Sequence, residues 1–289
     1  MTVIPATVVT YPDGELTGTA DVVHIAPLPD GRSGVVLDRT PFHPVDTAWP
    51  DQPADIGVLR TAAGDVPVLA TLTGGIRDGA LVIGPDLPVR MGTEGWTFVV
   101  VHVVEGSAPA VGESVDAHVD PELRAALSAG HTACHLASLA LDAALEDAWT
   151  KQVPTDAAGR HAFDMLAIQT SRIAPYGSTD VYRIGKSLRK KGFDPAALAD
   201  LRAVEARADA TLAEWAGAPG AIGIHRDDHT LAGRRTWRCE LPEGAVELPC
   251  GGTHLTSLAG IEAITVALAS TEVPGGLELV MTTTIRLAG

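Results

Sequence analysis

Positive charge is scarce in this chain. Its 289 residues carry 21 Lys and Arg against 36 Asp and Glu, a formal net charge of −15. That balance argues against a broad, non-specific grip on nucleic acid, which needs a basic surface. Cysteine is also scarce. Cys134, Cys239 and Cys250 are too few, and odd in number, for a disulfide framework. A reduced cytoplasm fits them and leaves their thiols free. No run of eighteen apolar residues occurs, so no transmembrane helix is expected. Met1-Thr2-Val3-Ile4-Pro5 lacks a basic region and a long apolar core, which predicts no secretory signal. There is no Gly-x-Ser-x-Gly elbow, which lowers the case for a serine triad. Walker and dinucleotide glycine patterns are missing as well, and no internal repeat stands out.

Two short stretches far apart stand against these absences. The first is Gly130-His131-Thr132-Ala133-Cys134-His135, at the head of an Ala/Leu-rich run that reaches Trp149. On a helix, residues spaced i,i+4 share a face, so His131 and His135 aim their imidazoles the same way. The second is Pro249-Cys250-Gly251-Gly252-Thr253-His254. Its Gly-Gly pair permits a tight turn between a thiol and a third imidazole. His131, His135, Cys250 and His254 together form a donor set that suits Zn²⁺. Cys134 sits among them but off their spacing, and reads as a small core residue. His225 and His229 repeat the i,i+4 spacing, but Arg226, Asp227 and Asp228 between them read as a surface loop.

His-Thr-Ala-Cys-His followed far downstream by Cys-Gly-Gly-Thr-His resembles the HxxxH and CxxxH motifs of the alanyl-tRNA synthetase editing domain. Free-standing AlaX-like editing proteins and the threonyl-tRNA synthetase editing domain share that pair. Val36-Leu37-Asp38-Arg39-Thr40-Pro41-Phe42-His43-Pro44 is similar to the opening of the β-barrel that precedes the editing domain in longer AlaX-like proteins. The resemblance runs from about Ala20 to about Arg286. It implies that Gln169, paired with Ser171, and Asp180, in Asp180-Val181-Tyr182-Arg183, lie on strands beside an editing pocket. Gln169 reads equally well as an ordinary strand residue. One segment departs from the family, whose members carry a glycine triplet and a Gln before an Asp-x-Gly. Here the stretch is Val45-Asp46-Thr47-Ala48-Trp49-Pro50-Asp51-Gln52, then Asp55-Ile56-Gly57. The triplet is gone and the loop is longer, so substrate choice is expected to differ if that loop nears the substrate.

The expected architecture is α+β: a small N-terminal β-barrel over residues 1–117, then an editing domain over 118–289 with helices packed on an antiparallel sheet. Short Val/Thr/Leu runs punctuated by Gly and Pro fill the first part, with turn signals at Asp13-Gly14 and Asp30-Gly31. Asp120-Pro121 opens a helix predicted to end near Ser128, with Gly130 breaking it before a second helix over 131–149. Leu136, Leu139, Ala140, Ala143 and Leu145 supply the second helix with an apolar stripe. A strand is predicted over Leu166–Ile173. Asp194-Pro195 predicts a helix to about Ala216.

Zinc would polarise an ester carbonyl and lower the pKa of its water from 15.7 to about 7. The resemblance therefore implies zinc-dependent deacylation of mischarged aminoacyl-tRNA, of the Ser- or Gly-tRNA(Ala) type. The length, without a synthetase catalytic domain, predicts action in trans. Thr253 either caps its turn or senses a substrate serine hydroxyl. Arg183, Lys186, Arg189, Lys190 and Lys191 hold three of the chain's four lysines. They read as a solvated face or as a local contact for acceptor-end phosphates. Arg226, Arg234, Arg235 and Arg238 form a second basic group. Four protein donors would close a tetrahedral site, and closed sites are usually structural. Two alternatives therefore stand. One is a zinc hydrolase for another aminoacyl ester or a noncanonical aminoacyl-tRNA. The other is a non-catalytic tRNA-binding module with structural zinc.

Overall fold

A computed structural model describes residues 4–289. The reading of the N-terminus for a secretory signal falls partly on residues 1–3, outside the described residues. The fold is mixed, with mostly antiparallel sheets and few helices. Contacts divide it into two compact units.

The first unit comprises the described residues up to Ala125 with Ile224–Thr236 and Cys250–Thr253. Its main sheet has seven strands. Gly57–Thr61 pairs with Ser114–Val119, which pairs in turn with Thr17–Pro27. The series continues through Ser33–Leu37 and Thr97–Val104 to Gly64–Arg77. Gly64–Arg77 also pairs with Gly57–Thr61, so the series returns to its first strand, and Ala80–Ile83 hangs on one side. Every one of these pairings is antiparallel. One face of the ring is filled by Val22, Val35, Leu37, Phe42, Leu59, Val104, Val115 and Ala117. Arg124 is buried and donates from Nε to Asp55 Oδ1 at 3.0 Å and from Nη2 to Pro41 O at 2.7 Å. The Asp55 carboxylate in turn accepts from His43 N.

The second unit holds Ala126–Gly223, Trp237–Pro249 and His254–Gly289. Its antiparallel sheet runs in the order Ile168–Ala174, Gly177–Ile184, Gly276–Leu287, Ile261–Val273. The helix Leu201–Trp215 covers the outer edge of Ile261–Val273. Asp209 accepts from Val266 N at 2.9 Å and Glu205 from Leu268 N at 2.7 Å, so exposed strand donors are satisfied.

Three expectations about elements are corrected here. Gly130 does not break a helix: Pro121–Ala144 is one helix of 24 residues. Asp120 caps it, accepting from Glu122 N and Leu123 N. Gly130 serves close approach instead, because a Cβ there would stand 2.6 Å from Gly177 O and nearer still to Ala174 O. The helix ends at Ala144 and a short turn, Glu146–Ala148, follows. The strand expected over Leu166–Ile173 begins instead at Ile168, after a helical turn Phe163–Ala167. Asp142, buried in the long helix, accepts from Asp164 N at 2.7 Å and holds that turn. The helix expected from Asp194 divides in two. Asp194 caps the turn Pro195–Leu198, and Asp200 caps Leu201–Trp215 through Ala203 N. A second capping carboxylate offered the backbone an alternative to continuous helix.

Candidate metal centre

The long helix brings His131 and His135 to one face, with ring centroids 4.8 Å apart. His254 lies 4.3 Å from the first ring and 5.1 Å from the second. Ligand atoms of His131, His135, Cys250 and His254 all lie within 4.8 Å of one another. The group is able to hold a metal ion. Among the described residues it is the one such group of His, Cys, Asp and Glu.

The protonation states fit that role. His135 Nε2 is buried and has no hydrogen-bond partner. Burial lowers this imidazole to about 4, which keeps it neutral with a lone pair to offer. Burial pushes the Cys250 thiol up to about 12. A nearby cation is what would favour its thiolate, and metal binding there releases a proton. Gly252 N faces Cys250 Sγ at 3.5 Å. His131 is buried and the other three donors are half-buried, the set is three imidazoles and a thiol, and one buried nitrogen is orphaned, so the residues fit a borderline-soft divalent ion such as zinc.

The surrounding residues fix these donors. Thr132 Oγ1 accepts from Leu255 N at 3.0 Å and lies 3.4 Å from His254 Nδ1. Trp237 is fully buried, with its ring 5.0 Å from His135 and 5.8 Å from His254. Gln52 and Thr253 bind each other twice. Thr253 N donates to Gln52 Oε1 at 3.0 Å, and Gln52 Nε2 donates to Thr253 Oγ1 at 2.9 Å. Thr132, Trp237 and Gln52 were not singled out as site residues from sequence. Thr132 lies inside the HxxxH motif, so its position was visible there. Trp237 carries no local signal at all.

Other expected site residues are placed differently. Asp180 is only 2% exposed. Its carboxylate takes Ser171 Oγ at 2.5 Å, Ser178 Oγ at 2.9 Å and the Cys134 thiol at 3.5 Å. That network ties the helix, at Cys134, to the sheet. Gln169 is exposed and turns its amide onto the carbonyls of Ala167 and Ile168. Lys186, Arg189, Lys190 and Lys191 are exposed on and just after the helix Lys186–Lys190. Half-buried Arg183 donates to Pro274 O, and Arg189 donates to Gly275 O. In the second basic group, Arg226 pairs with Asp13, and Arg238 pairs with Glu240 and Glu247. His225 and His229 are both exposed.

No family model matches the chain. Known relatives do. An alanine–tRNA ligase of Frankia alni is 31% identical over 252 residues, covering 86% of this chain and 24% of the ligase. One from Frankia casuarinae is 31% identical over 262 residues, covering 86% and 25%. One from Pyrobaculum neutrophilum is 38% identical over 107 residues, covering 37% and 9%. The chain spans about a quarter of the length of the Frankia ligases it matches. Among the described residues no helix is long and apolar enough to cross a membrane.

Proposed function

We infer, from a chain related over 86% of its length to alanine–tRNA ligases, that it is a metal-dependent hydrolase. It deacylates mischarged aminoacyl-tRNA in trans, of the Ser- or Gly-tRNA(Ala) type. One observation carries this reading: four donors from two remote segments lie within 4.8 Å of one another in a chain of that ancestry. Zn²⁺ held by His131, His135, Cys250 and His254 would supply a Lewis acid for the ester carbonyl. Thr132 steadies the His254 ring, and Trp237 walls the site against water. Gln52 bonds Thr253, the residue before His254, and the Thr253 hydroxyl would donate to a substrate hydroxyl. A site built to bond a hydroxyl discriminates strongly against analogues lacking it.

Lys186, Lys190 and Lys191, with Arg183 and Arg189, would contact acceptor-end phosphates, a charge-dependent and local grip. Gln169 sits on the neighbouring strand Ile168–Ala174 as a substrate contact. Asp180 acts from inside, holding Cys134 and with it the helix that carries His131 and His135. The ring of strand pairings supports reading the first unit as the small β-barrel, and the antiparallel sheet with its helices supports reading the second as the editing domain. The substrate places the protein in the cytoplasm.

The four-donor set also favours a second reading, in which zinc is structural and the chain binds tRNA without hydrolysis. Metal analysis with a panel of Ser-, Gly- and Ala-tRNA(Ala) separates the two. The hydrolase reading requires deacylation that is lost in His135→Ala and after chelation, with the fold kept. A folded, zinc-loaded protein that hydrolyses none of the panel would refute it.

A further inference from the structure

The segment at 45–52, where this chain departs from the synthetase-like pattern, holds an indole in the open. Trp49 is 43% exposed, and it is the one exposed tryptophan among the described residues. At that exposure much of the indole is left out of the core. Yet the loop beneath it is tightly fixed. Asp46 Oδ1 accepts from Ala48 N at 2.6 Å and from Trp49 N at 2.9 Å. Trp49 O accepts from Asp51 N at 2.8 Å. Val45 N donates to Thr71 O at 3.1 Å, and Gln52 closes the far end on Thr253.

The end of the loop is bonded to the turn that carries Cys250 and His254. Trp49 is three residues from Gln52, a reach of at most about 10 Å. Gln52 bonds Thr253, which is three residues from Cys250. Asp46 and Asp51 stand on either side of Trp49 in the chain. Those carboxylates repel phosphate, so the loop is unsuited to a sugar-phosphate backbone. A neutral, flat, partly exposed indole remains, on a loop whose end is bonded to the turn of the candidate metal centre.

An aminoacyl ester on a terminal ribose carries its nucleobase one sugar away from the reacting carbonyl. We propose that Trp49 is the stacking platform for the 3′-terminal nucleobase of the aminoacyl-tRNA. This inference rests on the hydrolase reading above. Stacking of a base on an aromatic side chain tolerates any base and needs no charge. Preorganisation of the loop removes the ordering cost that a mobile tryptophan would carry.

The test uses Trp49→Ala and Trp49→Phe in the full, zinc-loaded chain, with Ser-tRNA(Ala) and serine methyl ester as substrates. Trp49→Ala is expected to lower kcat/KM on the tRNA by roughly 5- to 100-fold, chiefly through KM. Trp49→Phe keeps most of the rate, and neither variant changes zinc content or hydrolysis of the methyl ester. Equal loss on both substrates, or no loss on either, overturns the proposal. A second arm measures anisotropy of a labelled short RNA ending in adenosine against the same RNA with an abasic 3′ end. The unsubstituted protein should prefer the adenosine end, and Trp49→Ala should not distinguish the two. Equal binding of both RNAs by the unsubstituted protein also overturns it. If no ester is hydrolysed but the preference is present and lost in Trp49→Ala, stacking stands and the hydrolase reading falls.

Discussion

Gly130→Ala puts the seating of the ligand-bearing helix to the test. In an unobstructed helix interior alanine is about 1 kcal/mol better than glycine, so the substitution would stabilise. At this position the new Cβ would stand 2.6 Å from Gly177 O and 2.9 Å from Gly177 N, with Ala174 O nearer still. All three are backbone atoms of the turn that joins two sheet strands. None can swing aside as a flexible side chain would, so the helix or the turn must retreat by most of an ångström. Tyr176 N also donates to Ala126 O at 2.9 Å, which pins the same turn to the same helix. Overpacking of this kind costs about 1–3 kcal/mol, and backbone obstacles belong at the upper end. Subtracting the propensity gain leaves a loss of about 2 kcal/mol. For a chain of this size that lowers Tm by roughly 4–8 °C. Thermal unfolding with a chelator present isolates the packing effect from metal binding. Because His131 is the next residue, a zinc competition assay should also show weaker affinity. A variant as stable as the parent, or more so, with unchanged zinc affinity, would refute the close-approach argument.

Other consequences are as concrete. Thr132→Val removes the hydroxyl that holds Leu255 N and faces His254 Nδ1. Zinc affinity should fall roughly 10- to 100-fold, measured by chelator competition, and an unchanged affinity would dismiss Thr132 as a positioning residue. Arg124→Met leaves Asp55 charged and buried, so urea unfolding should report a loss of about 3–5 kcal/mol. Adding Asp55→Asn should restore part of that, and no recovery would deny the charge argument. Burial lowers His102 to about 4, against 6.5 for an exposed imidazole. The unfolded chain therefore takes up a proton that the fold refuses. The stability involved is complete above pH 6.5 and is lost as pH falls towards 4, a span of about 3 kcal/mol. Asp164, raised to about 6 by burial, acts in the opposite direction. The comparison with His102→Gln therefore isolates the histidine's share, and an imidazole titrating near 6.5 by NMR would contradict it.

Local chemistry written into the chain reads out correctly wherever neighbours in sequence decide the outcome. Asp120 before Pro121 and Asp194 before Pro195 start helical turns because a carboxylate and a fixed φ act within one turn. His131 and His135 share a face because helical spacing requires it. The metal-capable group of four was legible through two motifs, each short enough to survive as a pattern. Gly130 was read as a breaker because its locally evident property is conformational freedom. Its actual use depends on a turn forty-odd residues away that takes up the space of a Cβ. Asp200 ended one helix reading early because two capping residues compete, and only packing shows which turn each one closes. The Gln52–Thr253 pair joins positions 201 apart in the chain, and Trp237 reaches the histidines from a distant strand. The donors and their spacing were thus set by sequence. Tertiary structure alone decided what presses on them, what holds them and what stands exposed beside them, because those depend on long-range burial and hydrogen bonding that leave no local pattern.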